Sequence, residues 1–77
     1  MIIVSIETNK TAGGGYLVSL SVNQKVKYAR YSAGRCAGEA AAVAVRVAMS
    51  QKGNYCILAP IEVLNMIPES VRSGRAN

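Results

Sequence analysis

Hydrophobic and polar residues alternate along the first part of the chain, as they do in strands with one buried face. Residues 2–8, IIVSIET, form the first such stretch, and residues 16–22, YLVSLSV, form the second and most regular one. Residues 26–32, VKYARYS, return to the pattern after a short polar break. We therefore predict three successive strands, with a flexible glycine-rich loop over residues 9–15 between the first two. The alternation places Ile2, Val4 and Ile6 on one face of the first strand. It places Tyr16, Val18, Leu20 and Val22 on one face of the second.

The length of the connection after the second strand decides which side chains of the third strand face inward. A slip of one residue moves every side chain to the opposite face. With a three-residue loop over residues 23–25, the face of Val18 also receives Val26, Tyr28 and Arg30. With a two-residue turn, it receives Lys27, Ala29 and Tyr31. We favour the three-residue loop.

The spacing changes from strand-like to helical after the third strand. The pattern predicts a helix that begins near residues 35–37 and ends at Lys52, because Gly53 is a typical C-terminal stop. The positions predicted to face outward are Glu39, Val43, Arg46 and Ser50. Those predicted to face the sheet are Ala37, Ala41, Ala44, Val45 and Ala48.

The last third of the chain predicts one more strand and a short helix. Residues 54–59, NYCILA, have strand character and lie between a glycine and a proline. Residues 60–67, PIEVLNMI, open with a proline in a position that suits the first turn of a helix. The helix positions predicted to face inward are Ile61, Leu64 and Ile67.

These elements predict one α+β domain over residues 1–77. Its architecture is an antiparallel sheet of three to four strands with one main helix packed on one face, in the order β-β-β-α-β-short α. Residues 69–72 are expected to add a further helical turn, and residues 73–77 to form a frayed tail.

The composition predicts a compact fold with little room for an enclosed site. The chain has 77 residues, and a domain of this size buries only about 60% of the surface of its unfolded chain. Nine lysines and arginines stand against four acidic residues, which gives a net charge of +5. The positive charges are scattered along the chain, and they favour encounters with acidic proteins or nucleic acids.

Two residue types that enzymes use often are missing from the sequence. It has no histidine and no aspartate, which removes the commonest general base and most metal ligands. Three strands followed by a helix with a carboxylate is also the order in ribonuclease H folds, but Glu7 and Glu39 are too few carboxylates for the metal pair of those enzymes. The glycines of residues 13–15 precede a strand, whereas a phosphate loop precedes a helix. We predict a non-enzymatic protein without a metal or cofactor.

The cysteines and the hydropathy of the chain predict the cellular location of the protein. Cys36 and Cys56 are the only thiols, and no signal segment directs the chain to an oxidising compartment. No apolar run approaches the roughly 20 residues of a membrane-spanning helix. We therefore expect reduced thiols, no membrane association and a cytoplasmic location.

Three short motifs in the second half of the chain carry a resemblance to a known family. They are residues 38–49, GEAAAVAVRVAM, residues 54–58, NYCIL, and residues 63–72, VLNMIPESVR. In this order they resemble small phage anti-CRISPR proteins, specifically the fifth family of type I-F inhibitors. That family has a glycine before an alanine run ending in Ala-Met, then Asn-Tyr-x-Ile-Leu, and a closing Val-Leu-x-x-Ile-Pro-Glu.

The resemblance extends more loosely to the first half and so spans nearly the whole chain. There it rests on Glu7-Thr8 after the first strand, on the glycine before Tyr16 and on the alternating strand that follows. The chain departs from the family in its basic charge and in Lys27, where an apolar residue is expected.

The resemblance implies an inhibitor that binds a type I CRISPR-Cas surveillance complex, or Cascade, at its large subunit and blocks target DNA binding. The protein would be phage-encoded, act in the cytoplasm of a bacterial host and help the phage evade antiviral defence. Its partner would be this protein complex, with no small-molecule substrate and no direct contact with nucleic acid or membrane. We expect a monomer or a weak homodimer, because an exposed edge strand could pair with a second copy.

Protruding cations are the candidate partner-binding residues. These candidates are Arg46 on the outer face of the predicted helix, Arg35 at its start, and Lys27 and Arg30 at the edge of the third strand. The alternative hypothesis is a small basic nucleic-acid-binding module. In such a module tyrosines on the sheet stack against bases and the cations hold phosphates.

Overall fold

The computed structural model describes residues 1–10 and 13–76. Thr11 and Ala12 of the predicted glycine-rich loop, and Asn77 of the predicted tail, lie outside the described residues. The elements in chain order are β1 (Ile2–Thr8), β2 (Tyr16–Val22), β3 (Lys25–Ser32), α1 (Ala37–Met49), β4 (Gly53–Leu58), α2 (Ile61–Leu64), α3 (Glu69–Arg72) and β5 (Ser73–Ala76).

The sheet has the order β3-β2-β1-β4-β5 and mixed strand directions. The α+β class and the main helix are confirmed, but the prediction of an antiparallel sheet of three to four strands is wrong. Strands β1 and β4 are parallel, whereas the other neighbouring pairs are antiparallel. The reason is that α1 carries the chain back along the sheet after β3, so that β4 runs in the same direction as β3 and β1.

The fifth strand corrects the prediction of a frayed tail. Ser73–Ala76 pairs with β4, and Ala76 is buried. Two contacts hold this segment. The Tyr55 hydroxyl donates to the Val71 carbonyl at 2.8 Å, and the Tyr55 ring lies over Gly74. The predicted turn over residues 69–72 is α3, which leads directly into β5.

The core lies between one face of the sheet and α1. We call this face the helix face and the other the open face. The alternation predicted within β1 and within β2 is confirmed, since Ile2, Val4, Ile6, Val18 and Leu20 are buried and Tyr16 and Val22 pack against them. From α1 the buried residues are Ala40, Ala41, Ala44 and Ala48. Three of these alanines were predicted, whereas Ala40 was not, and the predicted Ala37 and Val45 are only partly buried.

The helix α1 ends at Met49, three residues before the predicted end at Lys52. The Ser50 hydroxyl donates to the Val47 carbonyl at 2.7 Å and closes the last turn. Gly53, the predicted stop, is instead the first residue of β4 and has a positive φ of 106°. Within the described residues, no helix has the length and hydropathy needed to cross a bilayer.

The turn between β2 and β3 has two residues, so the predicted three-residue loop is wrong. Asn23 and Gln24 have φ values of 52° and 67°, the left-handed pair that two-residue hairpin turns need. Two register shifts follow in β3. Because each shift moves later side chains to the other face, Tyr28 pairs with Leu20 and Tyr31 with Val18. Neither predicted register therefore holds along the whole strand.

The short helix α2 is a single turn that exposes one of its predicted inward residues. Val63 and Ile67 are fully buried, Leu64 is partly buried, and Ile61 is 67% exposed. The helical turn begins only after Pro60, whose carbonyl accepts from Val63 and Leu64. The prediction assumed a helix over residues 60–67. Because α2 is a single turn, helical spacing does not place Ile61, Leu64 and Ile67 on one buried face.

The close approach of Gly34 to α1 gives a test of the chain path before the helix. Gly34 has a φ of 109°, and an added Cβ would overlap the Cβ of Glu39. Gly34→Ala should therefore lower the free energy of unfolding by about 1–3 kcal/mol. The control is Gly38→Ala, where the new methyl would meet only the flexible end of Met66 at 3.5 Å and should raise the value by up to about 1 kcal/mol. Urea unfolding of both variants measures the difference, and equal effects would contradict this account.

The Tyr55 hydroxyl gives a test of β5. Tyr55→Phe removes the hydrogen bond to Val71, and we expect a loss of about 1 kcal/mol in the free energy of unfolding. Amide hydrogen exchange in residues 73–76 should also become faster. Tyr31→Phe is the matched control, because the Tyr31 side chain is largely exposed. Unchanged exchange in Tyr55→Phe would show that this contact does not anchor the strand.

A basic edge strand as the candidate interaction surface

Strand β3 is the least covered element of the sheet. It lies at one edge, with β2 as its neighbour, and α1 makes its main sheet contacts with β1, β2 and β4. Seven of the eight residues of β3 are exposed. The strand therefore projects beyond the helix. Its outer edge and most of its two faces are open to solvent, whereas Tyr28 packs against the core.

Three cations stand on this strand, namely Lys25, Lys27 and Arg30, and we call them the basic edge. All three are exposed. Residues 16–32, which include both β2 and β3, contain no acidic residue. The hairpin thus carries a local charge of +3, more than half of the net charge of the chain.

Two contacts orient Lys27 and Arg30 of the basic edge to opposite faces of the sheet. The Lys27 ammonium donates to the Gln51 side-chain oxygen at 3.5 Å, just beyond the end of α1. The Arg30 Nε lies 3.2 Å from Glu7 Oε1 on the open face. Both side chains of the ion pair are about half exposed or more, at 68% and 49%. Such a pair contributes roughly 0–1 kcal/mol, so a partner could displace Glu7 at little cost.

An open cavity of about 560 Å³ adjoins Arg30. Its lining residues include Glu7, Lys10 and Leu17. The cavity extends the exposed surface of β3 across the end of β1.

The tyrosines of β3 form a pair. The Tyr28 and Tyr31 rings meet edge to face with centroids 4.8 Å apart. Burial raises the pKa of Tyr28 above its ordinary value of 10.0, and the neighbouring Tyr31 adds to the increase. Because they pair with buried residues of β2, both rings lie on the helix face of the projecting strand.

The other two tyrosines lie elsewhere. Tyr16 donates to Glu62 of α2 at 3.5 Å, and its pKa is raised by burial and by the charge of Glu62. Tyr55 is in the core. The four rings are therefore not assembled on the open face, where the nucleic-acid hypothesis needs a stacking platform.

The four predicted partner-binding residues do not form one cluster. Arg35 is exposed in the connection before α1, beside Gly15. Arg46 is exposed on α1, near the C-terminal end of the helix. Arg35 lies just before the N-terminal end of α1, and Lys27 contacts Gln51 just after its C-terminal end. These two ends are about 20 Å apart at 1.5 Å per residue. The structure thus brings together Lys27 and Arg30 on one strand and leaves Arg35 and Arg46 on other surfaces.

Lys25 is the member of the basic edge that sequence reasoning missed. The favoured loop placed it in the turn, whereas it is the first residue of β3 and pairs with Val22. Asn23 was the available signal, because asparagine tolerates the left-handed conformation of a two-residue turn.

The carboxylates and thiols are the remaining groups that could carry chemistry. Within residues 1–10 and 13–76, no group of three His, Cys, Asp or Glu side chains is placed to hold a metal ion. Cys36 and Cys56 are free thiols. The Cys36 thiol donates to Glu39 Oε1 at 3.7 Å at the start of α1.

Comparison with known proteins gives no assignment. No protein-family model matches the chain, and no curated protein sequence matches it.

The raised pKa of Tyr28 predicts a loss of stability at alkaline pH. The folded protein holds the phenolic proton more tightly than the unfolded chain does. The contribution is fully present below pH 10 and is lost as the pH rises, because the unfolded chain releases its proton first. Tyr28→Phe lacks this proton, so its free energy of unfolding should fall less than that of the parent between about pH 9 and 11. Parallel urea titrations measure this, and an identical decline would contradict the prediction.

Proposed function

We propose that this chain is a non-catalytic inhibitor that binds a type I CRISPR-Cas surveillance complex and blocks its access to target DNA. The observation that carries the proposal is the basic edge, which projects from the fold with Lys25, Lys27 and Arg30 exposed. Such a strand presents a protein-binding surface. The choice of target comes from the sequence resemblance.

The motifs behind the resemblance occupy structural positions. Tyr55, Ile57, Val63 and Ile67 are buried. These positions support a shared core with the anti-CRISPR family, because core residues are selected by packing. The surface is where a target would be chosen, and there this chain has Lys27 instead of an apolar residue.

The proposed mechanism is occlusion of a protein surface. A protein with a net charge of +5 is repelled by the cationic grooves that hold DNA phosphates, so it cannot act as a DNA mimic. It can dock on an acidic or mixed surface of the large subunit. DNA binding then fails because the inhibitor covers a surface that the DNA must reach.

The test compares single charge reversals on two surfaces. Lys27→Glu changes the basic edge, and Arg46→Glu is the matched control on α1. We expect Lys27→Glu to weaken binding to purified type I surveillance complex at least tenfold, about 1.4 kcal/mol, and to restore target DNA binding in a gel-shift assay. Arg46→Glu should bind and inhibit like the parent. Urea unfolding checks that both variants fold.

Two results would count against the proposal. If none of the type I complexes offered binds the parent chain, the target assignment is wrong. If Arg46→Glu loses inhibition and Lys27→Glu keeps it, the docking surface is α1 rather than β3.

The nucleic-acid hypothesis predicts a different experimental result. The exposed cations favour it, whereas the dispersed tyrosines do not. Phosphate binding weakens steeply with salt because counterions are released. Tight binding of plain oligonucleotides that falls steeply between low and physiological salt, without binding to any surveillance complex, would support this alternative over the inhibitor.

A further inference from the structure

The outer edge of β3 has unused backbone hydrogen-bonding groups. An edge strand directs every second N–H and C=O group away from the sheet. Within residues 1–10 and 13–76, the backbone hydrogen bonds of β3 are those of its ladder with β2. The strand has eight residues, a length of about 26 Å at 3.3 Å per residue. The opposite edge, β5, has only four.

The side chains of β3 define what could pair with it. Val26 and Tyr31 are exposed large hydrophobic residues, at 64% and 59%, and they alternate with the three cations of the basic edge. A strand beside β3 would place its own side chains next to these on both faces. Acidic residues would meet the cations, and apolar residues would meet Val26 and Tyr31.

A second copy of this chain does not satisfy that pattern. Full-length antiparallel pairing of two β3 strands would place Lys27 of each copy opposite Arg30 of the other, which gives two like-charge pairs. Like charges across a strand pair are destabilising. The charges that attract an acidic strand therefore also protect the protein from pairing with itself.

The register shifts in β3 favour a flexible partner. Two irregularities lie between Val18 and Ser21 of the β2 ladder, and such bulges increase the local twist of the strand. A rigid flat sheet edge would fit poorly against it. A short flexible segment can follow the twist.

We propose that β3 binds an extended acidic segment of a partner protein by strand addition, as a sixth strand of the sheet. This adds a binding mode to the proposed function and depends on it only for the identity of the partner. Main-chain hydrogen bonds would hold the segment, and the basic edge would select it by charge.

The test uses synthetic peptides, so that it is independent of any CRISPR complex. The probes are eight-residue peptides, equal to β3 in length, that alternate Glu with Thr or Val, and counterparts with Lys in place of Glu. A third peptide keeps the glutamates but carries N-methyl groups on alternate amides, which removes donors without changing the charge. Nuclear magnetic resonance titration up to about 1 mM reports the residues affected and the affinity.

We expect the acidic peptide to shift the amide signals of β3 and slow their hydrogen exchange. It should bind about 2-fold to 30-fold more tightly than the basic peptide, as two cross-strand charge contacts on one face, with Lys25 and Lys27, imply. The double variant Lys25→Glu, Lys27→Glu should lose or reverse this preference. The N-methylated peptide should bind at least about tenfold more weakly than the acidic one.

Other patterns would overturn strand addition. Equal binding of the N-methylated and unmodified peptides would show that charge alone attracts them. Shifts confined to α1 or the open face would place the site elsewhere. If a surveillance complex binds the chain but leaves the β3 amides unprotected, this inference fails and the proposed function stands. If the acidic peptide binds β3 and no complex binds, strand addition stands and the CRISPR target fails.

Discussion

The contact between the alanine face of α1 and the sheet is the constraint on which the rest of this structure depends. Alanine side chains let the helix axis lie close to the strands, and Ala40, Ala44 and Ala48 are fully buried there. Each methyl-sized group contributes only about 0.8 kcal/mol, so larger residues of the sheet, such as Leu20 and Val4, supply much of the buried apolar area. One helix of this kind covers the middle of the sheet and leaves an edge strand uncovered.

That uncovered strand explains why charge and exposure coincide in β3. A strand with one buried face is restricted to alternating apolar residues, but β3 projects beyond α1 and is free of this restriction. It can carry cations on both faces, with Lys27 near the end of the helix and Arg30 beside Glu7. The proposed interaction surface is therefore a consequence of how little of the sheet a single short helix can cover.

The candidate site was only partly visible in the sequence. Lys27 and Arg30 were identified because both stand in a strand pattern with exposed charge. Arg35 and Arg46 were chosen on equally good grounds. Helical spacing indicates which residues point outward, but it does not indicate which other residues lie on the same surface. Lys25 was missed because the turn length was wrong, and a shift of one residue changes both the start of a strand and the face of each side chain.

The sequence by itself determined the local elements. Residues 2–8 and 16–22 alternate so regularly that the bounds of β1 and β2 could be read from them, and the inner face of α1 followed from helical spacing with small error. These features depend on neighbours within a few positions. Only the tertiary structure decided the parallel pairing of β1 with β4, the register shifts of β3 and the formation of β5. Each of these depends on contacts between segments far apart in the chain, where packing and unpaired backbone groups outweigh any local preference.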